Sequence, residues 1–285
     1  MKTMKWMLGI AALLMVAVSC GTKKESPKKV LVLYYSQTSN TKKVAQEIAG
    51  KLAADIEEIV PVQPYDSDFQ ATIARCNEER EQGITPEIKP IAANLNDYDT
   101  IFIGYPIWFG TYAPPMAAFI NNSDLSGKTI VPFCTFGSGG LESSVKDMEA
   151  KQPKANILSG YGVRAARMAA MPQEVDQFLK EIGMLDGDFT KPDDFSEQQE
   201  VTEDQAKIFD AAVGDYPMIH AKATTVASRT IPGGTEYLFT AVDLPREDAP
   251  KVADDDKSKM PPPGEMKVYV TVTEGEAPVF TRVVR

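Results

Sequence analysis

Histidine is almost missing from this chain: His220 is the only one in 285 residues. That excludes a metal site built from several imidazoles, and no Cys/His cluster shows ligand spacing. Cysteine is scarce too, limited to Cys20, Cys76 and Cys134. Cys76 falls in a helical pattern and Cys134 in a strand pattern, which predicts two buried thiols rather than a disulfide. Positive charge is in deficit, with 30 Lys and Arg against 40 Asp and Glu, which argues against nucleic acid as a partner. Neither G-x-x-x-x-G-K-[ST] nor G-x-G-x-x-G is present, so the fingerprints of triphosphate and dinucleotide sites are absent.

What is present begins with a leader. Lys2 and Lys5 precede an apolar run from Trp6 to Val18, too short for a stable span of about twenty residues. Residues 1–19 read as a signal peptide. Its end, Ala17-Val-Ser-Cys20, resembles the lipobox of bacterial lipoproteins, although Ala17 stands where Leu, Val or Ile is usual. The resemblance implies that Cys20 becomes the lipid-modified first residue and anchors the protein in the membrane; a plain signal peptide and an uncleaved anchor are the alternatives. Removal of the leader leaves 28 basic residues against 40 acidic and takes the formal net charge from −10 to −12. Residues 20–28 then form a basic, polar tether. Gly21 after the cysteine, in place of an acidic residue, points to the outer membrane with periplasmic exposure.

The richest segment runs from Lys29 to Leu52. Val30 to Tyr34 suits a strand buried on both faces of a parallel sheet. Ser36, Gln37, Thr38, Ser39, Asn40 and Thr41 follow, and Val44, Ile48 and Leu52 then recur at helical spacing. Ser39 or Asn40 would cap that helix, whose first N–H groups lack internal partners and aim at the hydroxyl-rich loop. The arrangement suits a monophosphate, bound by the helix terminus without a metal. Taken alone, these residues fit an ordinary well-capped βα turn equally well.

Two more strand–loop–helix units follow. Thr100 to Gly104 leads into Tyr105-Pro-Ile-Trp-Phe-Gly-Thr111, where Trp108 and Phe109 stand together in a Pro/Gly-bounded loop. Both cannot point inward, so one should offer its face to something flat, unless the pair only forms a hydrophobic lid. Thr129 to Cys134 opens into Thr135-Phe-Gly-Ser-Gly-Gly140, whose glycines let a ligand approach the backbone, and Leu141 to Ala150 reads as a helix. Three such loops at the carboxyl ends of strands define the crevice where doubly wound sheets bind ligands.

YYSQTSNTKKVA, YDTIFIGYPIWFGTYAPPMAAFI and LSGKTIVPFCTFGSGGLESSV, in this order, resemble the flavodoxins, especially short ones with G-Y-P-I-W in the second loop. The resemblance implies an α/β fold with a doubly wound parallel five-stranded sheet of order 2-1-3-4-5, with strands near 29–35, 55–60, 99–105, 129–135 and 156–159. It also implies non-covalent FMN. Ser36 to Thr41 would hold the phosphate, with Ser36, Thr38, Asn40 and Thr41 as the main donors. Pro106, Ile107, Trp108, Phe109 and Gly110 would border the ring, Trp108 being the stacking candidate. Thr135, Phe136, Gly137, Ser138 and Gly139 would close its other edge. The stretch Tyr65 to Arg80 is expected to add a helix over the site. No catalytic residue and no metal are implied.

Domain boundaries are expected at 29–185 for this unit, 186–200 for an acidic linker and 201–285 for an α+β module. In the last, Thr202 to Ala212 reads as a helix carrying Ala206, Phe209 and Val213 on one face, followed by hairpin-forming strands around Pro-Gly-Gly234. Its wording resembles the cystatins, with Arg229-Thr-Ile-Pro-Gly233 in place of their Q-x-V-x-G hairpin; the changed residues tell against protease inhibition. Asp243 to Glu265 reads as a mobile, charged and proline-rich loop, and Asp254 to Asp256 within it as a solvated charge run. The leading expectation is an FMN electron-transfer protein of low potential, whose acidity steers basic redox partners or whose flavin meets quinones. An FMN-dependent quinone or nitro reductase is the first alternative; a non-redox binding protein acting through the C-terminal module is the second.

Overall fold

The structure, a computed structural model, describes residues 29–214, 216–217, 219–244 and 264–285. The expectations for the leader, the Cys20 anchor and tether, and Asp254 to Asp256 lie outside these residues. In chain order the first unit contains β1 (Val30–Tyr34), α1 (Asn40–Leu52), β2 (Asp55–Glu58), α2 (Phe69–Gln82), β3 (Thr100–Trp108), β4 (Thr111–Tyr112), α3 (Pro114–Asn122), β5 (Thr129–Phe136), α4 (Leu141–Lys151), β6 (Asn156–Ile157), β7 (Tyr161–Arg164) and α5 (Met171–Glu181).

The parallel strands lie in the order β2-β1-β3-β5-β6, the order expected from the sequence. Alternation along the strands divides the core in two. Leu31, Leu33, Ile101 and Ile103 face Met116, Ile120 and Met148 of α3 and α4. Val32, Phe102 and Val131 face Val44 and Ile48 of α1 and Val175 and Leu179 of α5. Each such residue, taken fully out of water, contributes about 1.5–3 kcal/mol before entropy is counted.

The fifth strand differs from expectation. It is split into β6 and β7, both paired with β5, and Tyr161–Arg164 was not foreseen. The Leu158 N–H donates to the Ile130 carbonyl at 2.9 Å. Two residues on, the next position of β5 on that side is Pro132, which has no N–H to continue the ladder. The chain breaks pairing across Leu158 to Gly160 and resumes opposite Phe133.

Two loop boundaries are also corrected. The second loop is a β-hairpin: β3 runs on to Trp108 and pairs with β4 across Phe109 and Gly110, whose φ values of 50° and 79° match the type I′ turn that strand twist favours. Thr135 and Phe136 belong to β5 and are buried, so the third loop begins at Gly137.

The second unit contains β8 (Gln199–Glu200), α6 (Glu203–Val213), β9 (Ala221–Ile231), β10 (Gly234–Asp243), β11 (Glu265–Thr273) and β12 (Val279–Val284). Its strands form an antiparallel sheet of order β12-β11-β10-β9-β8, which begins inside the stretch 186–200 read as a linker. Thr202 and Gln205 close a capping box at the start of α6, and Phe209 and Val213 seat the helix against Phe239, Val268, Val270 and Phe280. Arg229 is held at 2.6 Å by Glu236 across the β9–β10 ladder and lies 4.5 Å over the Phe195 ring.

Candidate functional site

At the carboxyl ends of β1, β3 and β5 lies a cavity of about 890 Å³. Its lining brings together most of the residues expected from sequence: Gln37 and Thr38 from the first loop, Pro106 to Gly110 from the second, and Gly137, Ser138 and Gly139 from the third. Ser36, Ser39, Asn40, Thr41, Thr135 and Phe136 are not part of the wall; they stand behind it or at the helix terminus.

The first loop retains unused polar capacity. Ser39 is the N-cap of α1, but it adopts the left-handed conformation at φ 65° and its side chain makes no capping bond, contrary to the expected cap. No acidic residue sits in the first turn. The buried Oγ of Ser36 has no hydrogen-bond partner among the described residues. A buried unpaired hydroxyl beside an uncapped helix start is costly unless an acceptor arrives. An anion such as a phosphate satisfies both.

Neighbouring side chains brace this loop. The hydroxyls of Thr41 and Thr135 are buried and 2.8 Å apart, joining α1 to the end of β5. Gln37 accepts from the Tyr35 hydroxyl at 2.7 Å and donates to the Asp66 carbonyl at 2.7 Å, fixing the segment that leads into α2. Asp68 caps α2 through the Ala71 N–H, and Phe69, Thr72 and Ile73 from this helix reach the cavity, as the expected added helix would.

The two adjacent aromatics part company. Trp108 is half-buried, meeting Tyr35 and Tyr65 nearly perpendicularly at 5.9 and 5.2 Å. Phe109, at φ 50°, is 49% exposed, with the Arg80 guanidinium 4.9 Å over its ring. Both line the cavity. Burial and Glu79 push the Tyr65 phenol above its ordinary range, so it stays protonated and donates to that carboxylate. Burial likewise raises both thiols, Cys76 to about 11 and Cys134 well above its usual value; they are free and separate. Among the described residues no group of three or more His, Cys, Asp or Glu could hold a metal ion.

Sequence reasoning missed the opposite wall. Glu142, Ser143 and Lys146 of α4 line it together with Tyr216, Val283, Val284 and Arg285 of the second unit. No local pattern marks the last strand of an antiparallel sheet as part of this crevice.

A parallel sheet of this order, with a hydroxyl-lined helix start and an aromatic-bordered cavity at its carboxyl edge, defines a flavodoxin-type α/β protein. The family described as Flavodoxin matches residues 29–178, and the chain belongs to that family. Among solved structures it is similar to a protein of Bacteroides eggerthii described as a "putative flavoprotein", at 31% identity over 54% of this chain and 98% of that one, with a TM-score of 0.48. It is also similar to a Lactobacillus acidophilus flavoprotein determined in complex with FMN, at 27% identity over 53% of this chain and 97% of that one, with a TM-score of 0.44.

Proposed function

We propose that this is an FMN-binding electron-transfer protein, exported and tethered to the cell envelope through a lipid on Cys20. The cofactor reading rests above all on the Ser36 hydroxyl, buried without a partner among the described residues beside the uncapped start of α1, in the loop whose Gln37 and Thr38 line the cavity bordered by Trp108 and Phe109. Bound FMN supplies the one- and two-electron chemistry. The chain's own residues bind, orient and shield. Ser36, Thr38 and the first N–H groups of α1 take the phosphate. The hairpin of Trp108 and Phe109 and the backbone of Gly137 to Gly139 border the ring and exclude water. The net charge of −12 that remains once the leader is removed favours encounters with basic redox proteins.

The test is the absorption spectrum of the purified chain and a fluorescence titration with added FMN. A flavin spectrum, or saturable quenching at one equivalent, supports the reading; colourless protein that neither binds FMN nor gains thermal stability from it overturns it. Incorporation of labelled palmitate in the wild type and its loss in Cys20→Ala would support the anchor, and an unlabelled, fully soluble wild type would refute it.

The apolar side of the cavity, where Phe69, Ile73 and Val284 join the lining, favours a second reading in which a flat quinone or nitro compound reacts in place. Oxidation of NADH or NADPH with a quinone acceptor would put the reductase first.

A further inference from the structure

The third loop is not held by the flavodoxin unit alone. Its carbonyls are claimed from two directions. Gly137 accepts from Arg164 Nε at 2.8 Å, and Ser138 accepts from the Val283 N–H at 2.6 Å. A Cβ built on Gly139 would lie 2.1 Å from the Val283 carbonyl oxygen, so the backbones of loop and strand are in direct contact. β12 is the edge strand of its sheet, and the outward N–H of Val283, which that ladder does not use, is spent on the loop.

Arg164 ties this junction together. It ends β7, is only 8% exposed, and meets no carboxylate among the described residues. Its guanidinium donates to Gly137 on one side and to the Phe280 carbonyl, at 2.9 Å, on the other. It also lies 3.3 Å over the Phe280 ring and 5.2 Å over that of Tyr216. Burial opposes its charge, so its position depends on both carbonyls and both rings being in place. The Arg282–Glu142 pair adds a weaker tie at 3.4 Å.

We propose that the C-terminal unit is a built wall of the cofactor cleft, and that Arg164 is the positioning residue coupling its docking to the shape of the ring-binding loop. The proposal rests on the FMN reading above. If Gly137 to Gly139 contact the ring, docking of β12 and binding of FMN act on the same loop, and each strengthens the other by the same factor. The wall also gives the cleft a fixed apolar lip, Val283 and Val284, beside the cations Lys146 and Arg285.

The experiment uses the full chain as wild type, Arg164→Met, Arg164→Lys and Val283→Pro, the last removing one outward N–H from an edge strand without touching its ladder. Two quantities are read: the FMN dissociation constant by fluorescence quenching, and amide hydrogen exchange of residues 279–285 with and without FMN. The expected result is a Kd raised about tenfold in Arg164→Met and Val283→Pro and less in Arg164→Lys, with 279–285 exchanging faster and FMN restoring part of the protection. If Arg164→Met does not fold, Val283→Pro decides. A wild type that binds FMN, with affinity in the folded variants within about twofold of it and exchange of 279–285 indifferent to FMN, overturns the coupling alone. A wild type that binds no FMN overturns both readings.

Discussion

The hydroxyls of Thr41 and Thr135 lie 2.8 Å apart in the protein interior, 94 residues apart in sequence. They fasten the start of α1 to the end of β5 and so tie the first loop to the third. Replacing either by valine keeps the shape and leaves the other hydroxyl buried without a partner. Each single variant should lose about 1–3 kcal/mol of stability in a urea titration, and the double variant less than the sum. Strict additivity would refute the coupling.

Ser36 should behave in the opposite way. Its Oγ is buried and has no partner among the described residues, so Ser36→Ala removes a cost rather than a bond. The thermal midpoint without FMN should stay the same or rise. The lost charge-assisted hydrogen bond, worth about 1.5–3 kcal/mol, should weaken FMN binding about tenfold or more. A variant less stable without cofactor, and equally tight with it, would remove Ser36 from the phosphate site.

Trp108→Ala should weaken FMN binding and release quenched flavin fluorescence. Because the indole also meets Tyr35 and Tyr65, the apo protein should lose about 1 kcal/mol for each ring contact. Phe109→Gly supplies the contrast. It relieves a left-handed φ on a half-exposed residue and should leave apo stability unchanged or raise it by about 1 kcal/mol. The two fluorescence titrations then show which aromatic covers the ring.

Gly104 faces Phe133 across the β3–β5 pair, and a Cβ there would lie 2.0 Å from the buried ring. Gly104→Ala should therefore destabilise the fold by about 1–3 kcal/mol through overpacking. Stability within a few tenths of the wild type would show that the ring moves aside freely.

The thiols give a dependence on pH. Burial raises Cys76 from 9.0 to about 11 and holds Cys134 well above its ordinary value, so the unfolded state ionises first as pH rises. The corresponding stability is intact below about pH 9 and is lost progressively towards about pH 11. Urea midpoints should fall across that window, less steeply for Cys76→Ala/Cys134→Ala. Iodoacetamide should label neither thiol until the chain unfolds.

Much of this was legible in the sequence. The apolar strands, α1 and the hydroxyl and glycine loops are written in local patterns, because burial periodicity and turn chemistry are properties of neighbouring residues; the helix over the site was expected only from the family resemblance. The errors share a different cause. Pro132 splits the fifth strand only because its missing N–H falls on the side of β6 and β7, and which side it faces is a matter of register. The tight hairpin at Phe109 and Gly110 depends on β4 finding β3, which favours a turn the residue type alone would not choose.

The sequence by itself determined the α/β sheet, the order in which its loops meet at one edge, and the residue types gathered there. Only the tertiary structure decided that Trp108 is held by two tyrosines while Phe109 is exposed, that the Ser36 hydroxyl has no partner among the described residues, and that β12 lines the cleft and meets Arg164. Those are contacts between residues far apart in the chain, fixed by how two separately cored units dock, and no local periodicity encodes them.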